Sequence, residues 1–268
     1  KQGIAISNLH AVGFGRPSLP AWNELFINDA PLHLSRWPND SMVLIGKIKT
    51  AGNKDDKVAG RLPSFHYRES RPANWMAADN GWISGYFGYG YADDMIPVSK
   101  IDTASQTIYA GMFTTYQFMS GADYRRWYVV NLIEEIDQPG EYAIDFRQQK
   151  IYFYPPQANI NKIRISTLEQ PVFSISHCAN VQLKNFTIEN SRGMGVYMEH
   201  TENVVIDGCT FRNLGNVAVS VGQGTLSATQ DILTHSMEVG GETAPGLIGD
   251  LSGRLYADPV FDRQAGKN

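Results

Sequence analysis

Cysteine is scarce. Only Cys178 and Cys209 occur in 268 residues, which excludes a disulfide framework and a cysteine-based metal centre of the usual spacing. Both read as free thiols. Excess positive charge is also missing: 23 Lys plus Arg stand against 27 Asp plus Glu, for a formal charge of −4 and a pI near 5.9. A protein that lives on phosphate contacts needs the opposite balance, so nucleic acid is set aside as a partner. Apolar runs stay short, Val129-Val130-Asn131-Leu132-Ile133 being among the longest, and none approaches the roughly 18 residues of a membrane-spanning helix. The six histidines, His10, His33, His66, His177, His200 and His235, include no His-x-x-x-His spacing. No Asp-rich loop supplies the ligand count that calcium needs. No metal or other cofactor is therefore expected. The chain starts at Lys1 with no charged and apolar leader before it, which predicts a processed or trimmed N-terminus.

What remains is a folded composition, 43% apolar and 19% charged with 25 Gly and 13 Pro, which argues against disorder over most of the length. Within it lies an internal repeat. The segment from His177 to Asn190 overlies that from His200 to Asn213 at an offset of 23 residues, and Gly195-Val196-Tyr197-Met198 overlies Ala218-Val219-Ser220-Val221 in the same register. Each unit holds three short alternating segments: Val181/Leu183, Phe186/Ile188 and Val196/Met198, matched by Val204/Ile206, Cys209/Phe211 and Val219/Val221. Period two predicts strands. Three short strands per two dozen residues predict a parallel β-helix, with these apolar residues forming inner ladders and each inward valine in a dry interior. Asn190 and Asn213 fall at one turn of successive coils, where Asn tolerates a left-handed backbone and stacks on its equivalent. Ile163-Arg164-Ile165 with Val172-Phe173-Ser174-Ile175 read as a shorter preceding coil, and Ile4-Ala5-Ile6 as the end of an earlier one.

The chain therefore divides, as expected from sequence, into β-helix strand at 1–13, an inserted β-rich domain at 14–160, β-helix coils at 161–222, and an excursion or cap at 223–268. The inserted part is aromatic-rich and irregular, and its one good helix candidate is Val130 to Ile136. An uncovered solenoid end exposes backbone groups and apolar bore. Either the tail caps it or the chain is a fragment of a longer protein, and the start inside a strand pattern favours the fragment.

The segment Glu24-Leu25-Phe26-Ile27-Asn28 through Arg36-Trp37-Pro38-Asn39 resembles the corresponding stretch of bacterial right-handed β-helix proteins of the glycoside hydrolase family 141 type. Asn131 through Tyr142 with Ile151-Tyr152-Phe153-Tyr154-Pro155-Pro156 is similar to the exit of that family's inserted domain. Gly253-Arg254-Leu255-Tyr256-Ala257-Asp258 with Arg263 to Asn268 is similar to a later excursion, after which members return to coils. The resemblance implies an all-β, right-handed parallel β-helix, truncation at both ends, and hydrolysis of plant or algal polysaccharide of the fucosidase or xylanase kind. It further implies a secreted or periplasmic protein whose partners are a polysaccharide or oligosaccharide and, where the chain is a fragment, the remaining β-helix portion.

Glycoside hydrolysis asks for two carboxyl groups facing one sugar, roughly 5 to 9.5 Å apart. With Val196 and Met198 inward, Tyr197 and Glu199 are expected to face outward, so Glu199 is the catalytic candidate and Tyr197 and Arg192 are candidates for holding substrate. Asp207 faces a different sheet. The aromatic stretch Trp75, Trp82, Tyr86, Phe87, Tyr89, Tyr91, followed by Asp93-Asp94, offers stacking faces and hydroxyl acceptors for sugar rings; Trp82 is the substrate-binding candidate there. The competing reading makes these rings the core of the inserted domain. A polysaccharide lyase and a non-catalytic glycan-binding module are the alternative functions.

Overall fold

The computed structural model describes residues 2–5, 23–75, 80–114, 116–168, 171–199, 201–215, 217–221, 225–227 and 259–261. The fold class is all-β. Among these residues the only α-helix is the five-residue Lys54–Val58, which starts at a capping box between Asn53 and Asp56. No helix among them is long and apolar enough to cross a membrane. The chain falls into two compact units, one of residues 1–7 and 32–160 and one of residues 8–31 and 161–268.

The first unit is built mainly from antiparallel pairs. Its larger sheet runs in the order Arg36–Trp37, Arg126–Val130, Trp82–Gly85, Asp94–Asp102, Thr107–Ala110, Ser64–His66 and Ile48–Thr50. These strands bury Phe65, Ile83, Ile96, Val98, Ile108, Trp127 and Val129 in one cluster, joined by rings from the connecting segments. Trp127 lies 5.3 Å from Phe65, 6.0 Å from Trp37 and 6.3 Å from Trp75 between ring centroids. Phe87 stacks on Phe118 at 4.6 Å. Edge-on and stacked pairs of this kind add to the gain from area alone. Gly85 is required where Trp82–Gly85 meets Arg126–Val130, because a Cβ there would stand 2.1 Å from the Arg126 carbonyl oxygen.

A smaller sheet of the same unit orders Gln2–Ala5, Lys150–Phe153, Glu141–Asp145 and His33–Leu34. Gln2–Ala5 pairs antiparallel with Lys150–Phe153, Ile4 opposite Ile151. The expected end of a solenoid coil at Ile4-Ala5-Ile6 is therefore, in its described part, an edge strand paired antiparallel with its neighbour. The expected helix over Val130 to Ile136 is also replaced: the strand continues to Val130, Asn131 takes φ +65°, and Ile133–Glu135 forms one 3₁₀ turn. The cause is the Asn131 side chain. Its amide donates to the carbonyls of Asn80 and Ile144 and its oxygen accepts from the Ile144 N–H at 2.7 Å, so it is tied to a neighbouring strand in place of a helical turn.

The second unit contains the repeat. Phe173–Ser176, Val196–Glu199 and Val219–Val221 pair in parallel, as do Gln182–Lys184 with Val205–Asp207, and Thr187–Ser191 with Thr210–Leu214. Phe173 faces Val196, which faces Val219; Leu183 faces Ile206; Ile188 faces Phe211. The inner cluster joins Ile175, Leu183, Ile188, Val196 and Met198 with Val181, Val204, Ile206 and Phe211. At the turns, Asn213 donates its amide to the Asn190 side-chain oxygen at 3.1 Å and Asn203 donates to Asn180 at 2.6 Å, each pair 23 residues apart and all four at positive φ. A third such turn sets Gly208 above Asn185, where a Cβ would stand 2.4 Å from the Asn185 side-chain oxygen. Three turns per coil thus use residues that tolerate the left-handed region.

Two expectations change in this unit. Ile163–Ile165 pairs antiparallel with Leu25–Ile27, which in turn pairs antiparallel with Ala30–Pro31, so it is not a stacked strand of a preceding parallel coil. The chemistry of Leu25–Ile27 explains the partner: all three residues are buried, as a strand covered on both faces requires. Val219, expected inward and dry, is 37% exposed, and Val221 is 50% exposed, whereas Val196 and Met198 one repeat earlier are 0% and 4% exposed. Among the described residues Val219–Val221 is the edge of its ladder, paired only with Val196–Glu199. Among the described residues strand pairing is mostly antiparallel, the parallel strand pairs being these ladders and His33–Leu34 with Glu141–Asp145. The excursion at 223–268 lies outside the described residues except for Thr225–Ser227 and Pro259–Phe261, which pair antiparallel.

Candidate functional site

Two groups of side chains are candidates for function, one in each unit. In the ladder unit, Val196–Glu199 carries both Tyr197 and Glu199, and Arg192 lies in the turn that precedes it. Parallel pairing sets Glu199 beside Ser176 and Tyr197 between Ser174 and Ser220. Tyr197 is fully buried although it does not belong to the inner apolar cluster, so this strand is covered on both faces. Arg192 is buried too, as are Ser191 and Thr201 of the same unit. Ser191 donates to the Leu168 carbonyl at 3.2 Å and accepts from the Gly193 N–H.

Glu24 is a carboxyl of this unit that sequence spacing does not single out. Its backbone N–H donates to the Ser166 hydroxyl at 2.7 Å, and one side-chain oxygen is buried without a hydrogen-bond partner. Burial pushes its carboxyl above the usual carboxylate range, the direction a general acid requires.

In the sheet unit, the aromatic stretch separates into two populations. Trp75, Trp82 and Phe87 are buried. Trp82 opens an inner strand, opposite Pro97 on one side and Val130 on the other. Tyr89, Tyr91 and Tyr124 are 39%, 69% and 43% exposed. Tyr89 and Tyr91 stack on each other at 5.5 Å with ring planes 8° apart, and both meet Tyr116 edge-on at 4.9 and 5.9 Å. Glycines make this arrangement possible. A Cβ on Gly88 would stand 2.9 Å from the Tyr116 Cβ, and one on Gly90 would stand 3.2 Å from the Tyr124 ring. A turn closed by the Ala92 N–H on the Tyr89 carbonyl holds Tyr91 at its tip.

Charge completes the group. Arg125 donates to the Gly88 carbonyl at 2.9 Å, the Ser120 carbonyl at 2.5 Å and the Tyr124 hydroxyl at 3.1 Å, so its guanidinium is committed to holding the loops. Asp93 is exposed and Asp94 half-buried. Burial, reinforced by the neighbouring Asp93 charge, pushes the Asp94 carboxyl up to about 6. Among the described residues no three His, Cys, Asp or Glu side chains gather as a metal site.

No protein-family model matches the chain, and no curated protein matches it. A solved structure named as a glycoside hydrolase is similar over 69% of this chain, with a TM-score of 0.46 and 13% identity. The match covers 46% of that protein's chain, so the present chain spans about half of its length.

Proposed function

We propose that this chain is part of a longer, secreted or periplasmic carbohydrate-active protein on a right-handed parallel β-helix, of the glycoside hydrolase family 141 type, acting on plant or algal polysaccharide. The observation that carries the reading is the constant 23-residue parallel register of three separate ladders. Stacked coils repeat each side-chain position at the spacing of one coil, so a linear polymer lying along them would meet equivalent side chains at regular intervals. Glu199, on the three-stranded ladder, is the acid assigned to the chemistry, Arg192 and Tyr197 position it or the substrate, and a second carboxylate from a neighbouring coil or excursion completes the pair.

A non-catalytic glycan-binding module is the second reading, favoured by the exposed tyrosines. Incubation of the chain with a panel of plant and algal polysaccharides separates the outcomes. New reducing ends without unsaturated-uronate absorbance, lost in Glu199→Gln, are expected. That absorbance would replace hydrolysis with a lyase, and turnover surviving Glu199→Gln would remove Glu199 from the chemistry. Absence of turnover across the panel would leave the binding reading.

A further inference from the structure

We propose that Tyr89, Tyr91, Tyr116 and Tyr124 form a binding surface for a neutral polysaccharide chain, with Asp93 and Asp94 accepting hydrogen bonds from sugar hydroxyls. The inference rests on the carbohydrate reading only for the class of ligand. It makes no use of Glu199 or of the ladders.

The exposure of these rings calls for a cause. The same segment sends Phe87 inward, onto Phe118, and turns Tyr89 and Tyr91 outward, so burial was open to aromatic side chains here and only the hydroxyl-bearing ones stay outside. Contiguous exposed apolar surface of this sort marks a binding site more often than a neutral surface. The rings are also held in place: Gly88 and Gly90 leave no room for a side chain, and Tyr116 and Tyr124 pack onto them. Near-parallel rings already fixed by their neighbours lose little freedom when a ligand arrives. Flat faces of this kind receive the C–H face of a pyranose, while phenol hydroxyls and carboxylates accept its hydroxyls.

Charge selects the ligand. Asp93, Asp94 and the exposed Asp123 lie beside these rings in sequence, and the cations among them are engaged: Arg125 as described, Arg126 with the carbonyls of Asp123 and Met42. A polyuronate or sulfated glycan would meet like charge with Arg125 and Arg126 already engaged, which costs affinity. A neutral chain meets acceptors for its hydroxyls.

The test is affinity gel electrophoresis of the 268-residue chain in arabinoxylan, mixed-linkage β-glucan and galactomannan, with polygalacturonate and alginate as the anionic set. At least one neutral polymer is expected to retard the chain. Tyr91→Ala should weaken that retardation by on the order of tenfold, the loss of a central aromatic anchor. Tyr91→Phe should keep it, and Tyr154→Ala, which removes an exposed tyrosine of the same unit outside this cluster, should leave it unchanged. Retardation that survives both Tyr89→Ala and Tyr91→Ala would overturn the tyrosine surface while leaving the proposed function intact. Retention on the anionic set alone would overturn the ligand class, and retention on no polymer would overturn the inference whether or not turnover is seen. Turnover lost in Glu199→Gln with retardation preserved would separate the two surfaces.

Discussion

In the unit of residues 32–160, burial is concentrated: one cluster gathers Phe65, Trp75, Phe87, Phe118 and Trp127 with aliphatic neighbours such as Ile83, Val98, Ile108 and Val129 from several strands. In the ladder unit it is distributed, one or two apolar residues per strand per coil, and each layer is covered by the next. The first arrangement derives its stability from side chains distant in sequence, and the second from neighbours a fixed 23 residues away. A layered core is therefore graded along its length. Ile188 is buried while its partner Phe211 is only partly covered, and Val196 is buried while Val219 is not.

The largest expected effect breaks the layered core. Val196→Asp places a charge in a dry layer between two strands and should cost several kcal/mol, a large share of an ordinary stability margin. Val219→Asp, at a position 37% exposed, should cost less than about 1 kcal/mol. Urea unfolding with hydrogen exchange on peptides spanning 173–199 reads both; equal loss in the two variants would contradict the gradient. Next comes the concentrated core. Trp127→Ala removes contacts to three rings at once and should cost about 3–5 kcal/mol, seen as collapse of the near-ultraviolet aromatic dichroism; a loss under 1 kcal/mol would mean the cluster reorganises freely.

The smallest effect sharpens the comparison at a surface. Asp94 has a folded-state value of about 6 against an ordinary 3.8, so the folded chain holds that proton more tightly than the unfolded chain. The contribution of this group to stability therefore falls as pH rises from about 4 through about 6. Asp94→Asn should stabilise the protein at pH 7 by roughly 1 kcal/mol after allowance for solvent screening, and the gain should vanish near pH 4. Thermal melts of the two proteins at both pH values decide it; a gain that persists at pH 4 would assign the effect to packing.

Legibility in sequence followed locality. The 23-residue offset was readable because the repeat writes the same apolar positions twice, and Asn190 over Asn213 with it. The same offset also pairs Asn180 with Asn203, a signal present in the letters and picked out only once both turned out to have positive φ. Ile163–Ile165 looked like a strand of the repeat because alternation does not encode a partner; its pairing with Leu25–Ile27 joins residues more than a hundred positions apart. Val130 to Ile136 looked helical because nothing local reports that the Asn131 amide will be claimed by Asn80 and Ile144.

The candidate site was legible to the same degree. Sequence grouped Trp75, Trp82, Tyr86, Phe87, Tyr89 and Tyr91 as one aromatic stretch, with stacking and core readings both open. Packing sorted them, sending Trp75, Trp82 and Phe87 inside and leaving Tyr89 and Tyr91 out. Tyr116 and Tyr124 come from a later loop and joined only in space. Glu24 had no spacing to mark it, because a raised carboxyl reports burial and not neighbours in the chain.

By itself, then, the sequence determined the β class, the repeat length, the inner ladder positions and the turn asparagines, since each depends on residues close in the chain or on a period that recurs. The tertiary structure alone decided which strands pair antiparallel, how the burial of the ladder changes from one repeat to the next, and which tyrosines stay in solvent. Those outcomes depend on which distant backbone satisfies each hydrogen bond and which distant surface covers each ring, and neither is written in any local pattern.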